Sequence, residues 1–447
     1  MAVAALTAGL TLTACGGGDS TDAAGTGGGA KGDASCAAYT QYGSLKGENI
    51  SMYSAHAGEF EDNPTIASYK TFERCTGATI TYAGDASFPT EIMVRTKAGN
   101  PPDLAMVLSP TLLRELIKTK AVKAPPAEVA ALTDKFYSPQ WKKYATVDGT
   151  FYGAPIDAAV KSLVWYSPKQ FTEHGWKVPT TLGELNTLSD TISAAGVHPW
   201  CVGIASGEGT GWPMTDWMED WMLRMYGTEV YDKWVDHKIA FNGPEATGAL
   251  NAVGAIVRNP KFVNGGLGDV KSIASTSMAD GGLPILDGAC ALHRQANFYA
   301  GVWPKGTKIG PDGDIFAFYL PGKDASSKPV LGAGDFVVAF NERPAVKAFQ
   351  TYLATDTYAN ERIKAAGEMG GFITPNKGAD ITLIQNPIDK LSTEILLDPK
   401  TEFRFDGSDL MPANIAGNVF NKEITDWATG QSTQATLQKI EAAWPKN

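Results

Sequence analysis

Between Ile50 and Thr119 the chain alternates short strand-like runs with helical spacing, and that alternation restricts it to few architectures. Ile50-Ser51-Met52-Tyr53-Ser54 has the composition of a strand, Pro64 to Arg74 carries helical periodicity that stops near Gly77, and Ala78-Thr79-Ile80-Thr81-Tyr82 resumes a strand. Pro101-Pro102 turns the chain into the apolar run Leu104 to Leu108, and Leu112 to Thr119 reads as a short helix. Strands separated by helices predict an α/β fold whose sheet is largely parallel and covered on both faces.

Further on, Asp148-Gly149 between Thr146-Val147 and Thr150-Phe151-Tyr152 is a hairpin turn signal. Leu163-Val164-Trp165-Tyr166 is a strand, Pro168 to His174 a helix, and Thr181 to Ala194 a longer helix capped by Thr180 or Thr181 with Glu184 as partner. Helices are also expected over 344–355, 357–366, 419–429 and 432–443, and there is no internal repeat. Residues 36–447 have ordinary globular hydrophobicity and exceed what one core usually serves, so two lobes are expected.

The N-terminus has a different character. Met1 to Leu12 is uncharged and apolar, Leu12-Thr13-Ala14-Cys15 places a cysteine after small residues, and glycines follow at once. This is the pattern of an exported lipoprotein signal over residues 1–15, with lipidated Cys15 as the mature N-terminus and the outer face of the cell membrane as the location. Residues 16–35 contain no aromatic or large aliphatic side chain, so they cannot bury enough surface to offset their chain entropy and are expected to form a flexible tether. No later stretch is long and apolar enough to span a bilayer.

A net charge of −10 argues against a nucleic-acid partner, whose phosphates require a basic surface. The five cysteines include no Cys-x-x-Cys pair and the five histidines are scattered, so no metal site is expected. Gly332-Ala333-Gly334 lacks the third glycine of a dinucleotide fingerprint, there is no Gly-Lys-Ser/Thr loop, and Asp312-Gly313-Asp314 is too short for a calcium loop. No cofactor is expected.

Four segments in order resemble the family 1 extracellular solute-binding proteins of ABC importers, the group with maltose- and α-glucoside-binding members. They are Pro101-Pro102-Asp103-Leu104-Ala105, Asp148 to Pro155, Gly175 to Leu185, and Gly332-Ala333-Gly334-Asp335-Phe336. Leu182 stands where the family pattern has tryptophan. Gly211-Trp212-Pro213-Met214-Thr215-Asp216-Trp217-Met218-Glu219-Asp220, with Cys201 before it and Cys290 after it, is most similar to the α-glucoside subgroup. The resemblance implies two α/β lobes with the ligand between them, and chain crossings near 154–157, 328–334 and 371–386. One lobe would comprise residues 36–155 and 328–384, the other 156–327 and 385–447. Once Cys15 is set aside, four cysteines allow three pairings; Cys36 with Cys75 and Cys201 with Cys290 keeps each bond inside one lobe of that layout.

A sugar offers hydroxyls that need paired donors and acceptors, and C–H faces that lie flat on aromatic rings. Trp212, expected in a loop before a helix starting at Thr215 or Asp216, suits a platform. Trp217 is a second candidate, whereas Trp221 follows the buried period of Met218, Met222 and Met225. Asp216 fits either a hydroxyl acceptor or an N-cap. Loops at the C-terminal ends of parallel strands normally line such a cleft, which points to His56 and Glu59, to Asp85 and Phe88, and to Ser109. Lys161, a lone cation amid apolar residues, is expected to meet a ligand hydroxyl or Asp157, and Arg294, Gln295, Phe298, Asp335 and Phe372 complete the ligand set. Trp303 packs against Pro304 or faces the cleft.

Glu208, Asp216, Glu219 and Asp220 cluster as in a glycosidase, but no matched acid and nucleophile is evident and no catalytic residue is assigned. Lys161 and Arg294 weigh against a polyamine site, and the dispersed histidines against a metal chelate. The expected function is capture of an oligosaccharide by a monomeric receptor that delivers it to the permease subunits of an ABC importer.

Overall fold

The computed structural model describes residues 34–446 apart from 265–266, 325 and 327, and the side chains of 59–62 are also outside the described set. Cys15 and residues 16–33 of the expected tether therefore lie outside the described residues.

The fold is two-lobed α/β. The first lobe is built on five strands in the order Thr79–Gly84, Asn49–Ser54, Leu104–Val107, Phe336–Ala339, Ala154–Pro155. Ile50 pairs with Ile80 and Met52 with Leu104 in parallel register, while Phe336–Ala339 runs antiparallel to both of its neighbours. Four strands thus point one way, towards the other lobe, and the strand that returns from it points back. The expectation of a largely parallel sheet therefore holds for the first three strands of that order, and the returning strand makes the other two pairings antiparallel. The second lobe departs from it: its sheet, Phe316–Tyr319, Leu163–Tyr166, Cys290–Arg294, His198–Trp200, is parallel only between its last two strands.

Local chemistry sets the helix ends. Helix Glu59–Thr76 begins five residues ahead of Pro64 and stops at Gly77, whose φ of 83° suits the residue without a Cβ. Thr181 caps Leu182–Ala194 by accepting the Glu184 N–H at 3.1 Å, and the Glu184 carboxylate accepts the Thr180 N–H in return. Asp148 and Gly149, both at positive φ, close the expected hairpin. The helix expected to start at Thr215 or Asp216 begins at Trp212 and runs to Val235, broken at Gly227. The expected pairings Cys36–Cys75 and Cys201–Cys290 are the two disulfides, the second joining hydrogen-bonded parallel strands at their ends.

Each lobe has its own core. Tyr69, Phe72, Phe349 and Tyr352 pack under the first sheet, and Trp200, Trp217, Trp221, Trp234 and Trp427 anchor the second lobe. A three-stranded sheet, Thr401–Phe405, Lys328–Ala333, Ala159–Val160, lies where the chain passes between them. The passages are stitched together: Ile156 N–H donates to the Asp335 carbonyl at 3.0 Å and Ala158 N–H to the Ile373 carbonyl at 2.9 Å. Gly334 is required there, since a Cβ would come within 2.6 Å of the Asp157 carbonyl and 2.7 Å of the Trp141 ring. Among the described residues no helix is long and apolar enough to cross a membrane.

Candidate ligand-binding site

The stitched passages form the back wall of a cavity of about 400 Å³. His56, Met106 and Leu108 reach it from the first lobe, at the C-terminal ends of outgoing strands, where loops of such sheets gather. Trp212, Asn297 and Phe298 face it from the second lobe, the passages supply Asp157, Lys161, Gly334 and Asp335, and Asp406, Ser408 and Asp409 close it from the C-terminal region.

The aromatic wall is fixed from behind. The Trp212 ring meets Phe298 at 6.2 Å and 53°, and the Lys161 ammonium sits 5.3 Å from its centre. Lys161 is buried between two carboxylates, contacting Asp216 Oδ1 at 2.9 Å and Asp406 Oδ2 more closely still. Burial alone would discharge the ammonium, but Asp216 and Asp406 override it and raise its pKa. Burial would likewise raise Asp406, yet Lys161 holds it well below the usual carboxylate range. Burial lifts the Asp216 carboxyl to about 7 against the pull of Lys161.

On the back wall, His56 Nε2 contacts Asp335 Oδ2 at 2.5 Å and lies 3.9 Å from Asp157 Oδ2, while Asp335 N–H donates to Asp157 Oδ1 at 2.8 Å. Burial and then the Asp335 charge push Asp157 to about 7. These three side chains bring one nitrogen and two carboxylate oxygens within 4.8 Å of one another, a donor set of the kind that can hold a divalent cation, and here His56 is already hydrogen-bonded to Asp335, and Asp157 to the Asp335 backbone. Phe372 lines the far end with the Arg362 guanidinium 4.6 Å from its ring centre.

Of the residues expected from sequence to meet ligand, His56, Lys161, Trp212, Phe298, Asp335 and Phe372 come together on this cavity. Asp216 and Arg294 lie one layer behind it, fully buried and paired with each other at 3.3 Å; Asp216 is therefore an ion-pair partner and not an N-cap. Gln295 is also buried, its Oε1 accepting the Ala296 N–H. Trp217 is 2% exposed and stacks on Trp221, so it belongs to the core. Asp85 is occupied by the Tyr53 hydroxyl and the Ser87 N–H, and Ser109 caps helix Pro110–Lys118. Trp303 packs on Trp165 and Tyr299, and Phe88 on Tyr53. The side chain of Glu59 lies outside the described residues. Asn297, Arg362, Asp406, Ser408 and Asp409 were not anticipated; the run Asp406-Gly407-Ser408-Asp409 signals a turn in sequence and nothing more.

The bacterial extracellular solute-binding protein family matches residues 67–388 of this chain. The alpha-glucosides-binding periplasmic protein AglE of Rhizobium meliloti is 37% identical over 90% of the chain and 88% of its own length. The osmoprotective compounds-binding protein GgtB of Synechocystis sp. is 34% identical over 84% of the chain and 87% of its own. Among solved structures, the bacterial solute receptor AcbH superposes with a TM-score of 0.73 at 15% identity, covering 88% of this chain and 98% of the receptor. Maltose-bound T. maritima MalE3 gives 0.66 at 14% identity, covering 88% and 98%. The two relatives are named as binding proteins and AcbH as a solute receptor. A two-lobed fold, a cavity walled by both lobes and relatives matching over most of its length make this chain a member of the bacterial extracellular solute-binding proteins.

Proposed function

We propose that this protein captures a short α-glucoside outside the cell and delivers it to the permease of an ABC importer, held at the membrane through lipidated Cys15. The observation that carries the reading is the pairing, across one cavity, of the Trp212 and Phe298 rings with His56, Asp157, Asp335, Asp406 and Ser408. Rings take the C–H face of a pyranose, and fixed carboxylates accept its hydroxyls. The relative named for α-glucosides supports the choice of sugar. Residues 36–155 with 328–384 and residues 156–327 with 385–447 are the two lobes that sugar would draw together.

The test is a thermal-shift and calorimetric screen of residues 36–447 against maltose, trehalose, sucrose, maltodextrins, monosaccharides, small osmolytes, peptides and polyamines. Ligand at 100 times its dissociation constant should add about 2.7 kcal/mol of stability. A response confined to α-glucosides is expected, with no release of reducing sugar, and a response confined to peptides or polyamines would refute the assignment. Radiolabelled palmitate should enter full-length protein expressed in an exporting host and not a Cys15→Ser variant.

A further inference from the structure

The segment Asp406-Gly407-Ser408-Asp409-Leu410-Met411 touches the cavity on one side and the first lobe on the other. Asp406, Ser408 and Asp409 line the cavity. From the first lobe, Thr111 N–H donates to the Asp409 carbonyl at 3.1 Å and Thr111 Oγ1 to the Met411 carbonyl at 2.7 Å. Arg114 Nη2 donates to the Leu410 carbonyl at 2.6 Å and to Thr111 Oγ1 at 2.6 Å, so guanidinium and hydroxyl act as one unit. Arg114 is half-buried and forms no ion pair among the described residues; its charge is spent on these two oxygens.

Both halves of this contact are held rigidly. Helix Pro110–Lys118 presents Thr111 and Arg114 with Ser109 as its cap, which is why Ser109 does not reach the cavity. On the other side, fully buried Glu219 accepts the Gly407 N–H at 2.7 Å and the Ser408 N–H at 3.1 Å through its two oxygens. The segment is thereby a fixed piece of the second lobe, and three consecutive carbonyls from Asp409 to Met411 find their donors in the first.

We propose that Thr111 and Arg114 are positioning residues for ligand binding, docking the first lobe onto the cavity-lining segment Asp406–Met411. The inference rests on reading the cavity as a sugar site. A ligand held by Asp406, Ser408 and Asp409 and reaching the first lobe favours the lobe arrangement in which Thr111 and Arg114 grip the segment, and the grip in turn keeps the first lobe against the ligand. By linkage each favours the other, and affinity then depends on two residues outside the cavity lining.

The experiment compares wild type with Arg114→Ala, Thr111→Val and Arg114→Lys, measuring ligand on- and off-rates and small-angle scattering with and without sugar. Losing a charge-assisted hydrogen bond should weaken binding roughly ten-fold in Arg114→Ala, carried by the off-rate. Arg114→Lys should recover part of it, and ligand-free Arg114→Ala should scatter as a more open particle than wild type. Unchanged affinity with unchanged scattering overturns the proposal, as does a loss confined to the on-rate with a lowered melting temperature, which marks general destabilisation. Should wild type bind no sugar at all, the sugar reading fails, and the ligand-free scattering still decides: a wider envelope in Arg114→Ala supports the docking contact and an identical one overturns it.

Discussion

Replacing Trp212 by alanine tests the proposed ligand platform against Trp217, a core residue five positions further on in the same lobe. Trp212 lines the cavity, is only partly buried, and leans on Lys161 and Phe298. Removing it leaves the Lys161 pairs with Asp216 and Asp406 in place, so the fold should lose little. Binding should lose the Trp212 face of the stacking surface: truncating a buried aromatic anchor costs roughly 2 kcal/mol or more, about a thirty-fold rise in dissociation constant. Trp217→Ala is the internal control. That ring is 2% exposed, stacks on Trp221 at 5.0 Å and meets Trp200 edge-on at 5.0 Å. Its loss should cost about 3 to 5 kcal/mol of stability. Calorimetry and urea unfolding on both variants make the comparison. If Trp212→Ala binds within two-fold of wild type, or if Trp217→Ala unfolds at the wild-type midpoint, the assignment of the two rings is wrong.

Asp157 and Asp389 titrate at about 7 in the folded chain, chiefly through burial, against a starting value of 3.8. Between those limits the folded state keeps protons that the unfolded state has released, so this stabilisation is lost as pH rises through about 7. Buried His293, lowered to about 4, acts oppositely and only below its ordinary value of 6.5, so urea midpoints should fall between pH 6.5 and 8; a rise would contradict the burial of these carboxyls. Removing the Cys201–Cys290 bond, which closes a separation of 89 residues, should cost about 4.6 kcal/mol, and removing Cys36–Cys75, which closes 39, about 3.9 kcal/mol, read from urea unfolding of alanine variants. Asp216→Asn keeps the shape but breaks a fully buried ion pair, and should lower stability by about 3 to 5 kcal/mol; an unchanged midpoint would mean that the carboxyl is already neutral.

The early strands, the Asp148-Gly149 hairpin and the helix caps were legible because each is dictated by residues a few positions apart. Lys161 was legible for a different reason: a cation inside an apolar run has to be satisfied by something distant. Asp85 and Ser109 follow the C-terminal ends of strands, where the topology rule looks for cleft residues, but both are used locally, Asp85 by Tyr53 and Ser87 and Ser109 as a cap. Position therefore selected the loops after the first and third strands of the chain, which reach the cavity through His56 and Leu108, but the loop after the second does not line it, and position could not say which side chains were free. Asp406, Ser408 and Asp409 were illegible because they reach the cavity only through the parallel pairing of Thr401–Phe405 with Lys328–Ala333, a contact spanning some seventy residues. Trp217 and Trp212 differ in burial because the helix begins at Trp212 itself, one turn earlier than its cap signals suggest.

A cavity proposed to hold a neutral sugar has many ions buried behind it. They form one alternating series. Arg224 pairs with Asp220 at 2.5 Å, Asp220 with Arg294 at 2.8 Å, Arg294 with Asp216 at 3.3 Å, Asp216 with Lys161 at 2.9 Å, and Lys161 with Asp406, which opens on the cavity. Each inner member sits between two of opposite sign, three cations balance three carboxylates, and nearby Glu219 and Asp409 are pushed up towards neutrality by burial and by Asp406. A buried ion pair is weak evidence for stability, since desolvation offsets most of its attraction. Its value here is geometric. Held in series, Lys161 and Asp406 cannot reorient when the cavity empties, so a ligand displacing water meets groups already aimed, and the ordering cost that usually erodes affinity is met in folding and not in binding.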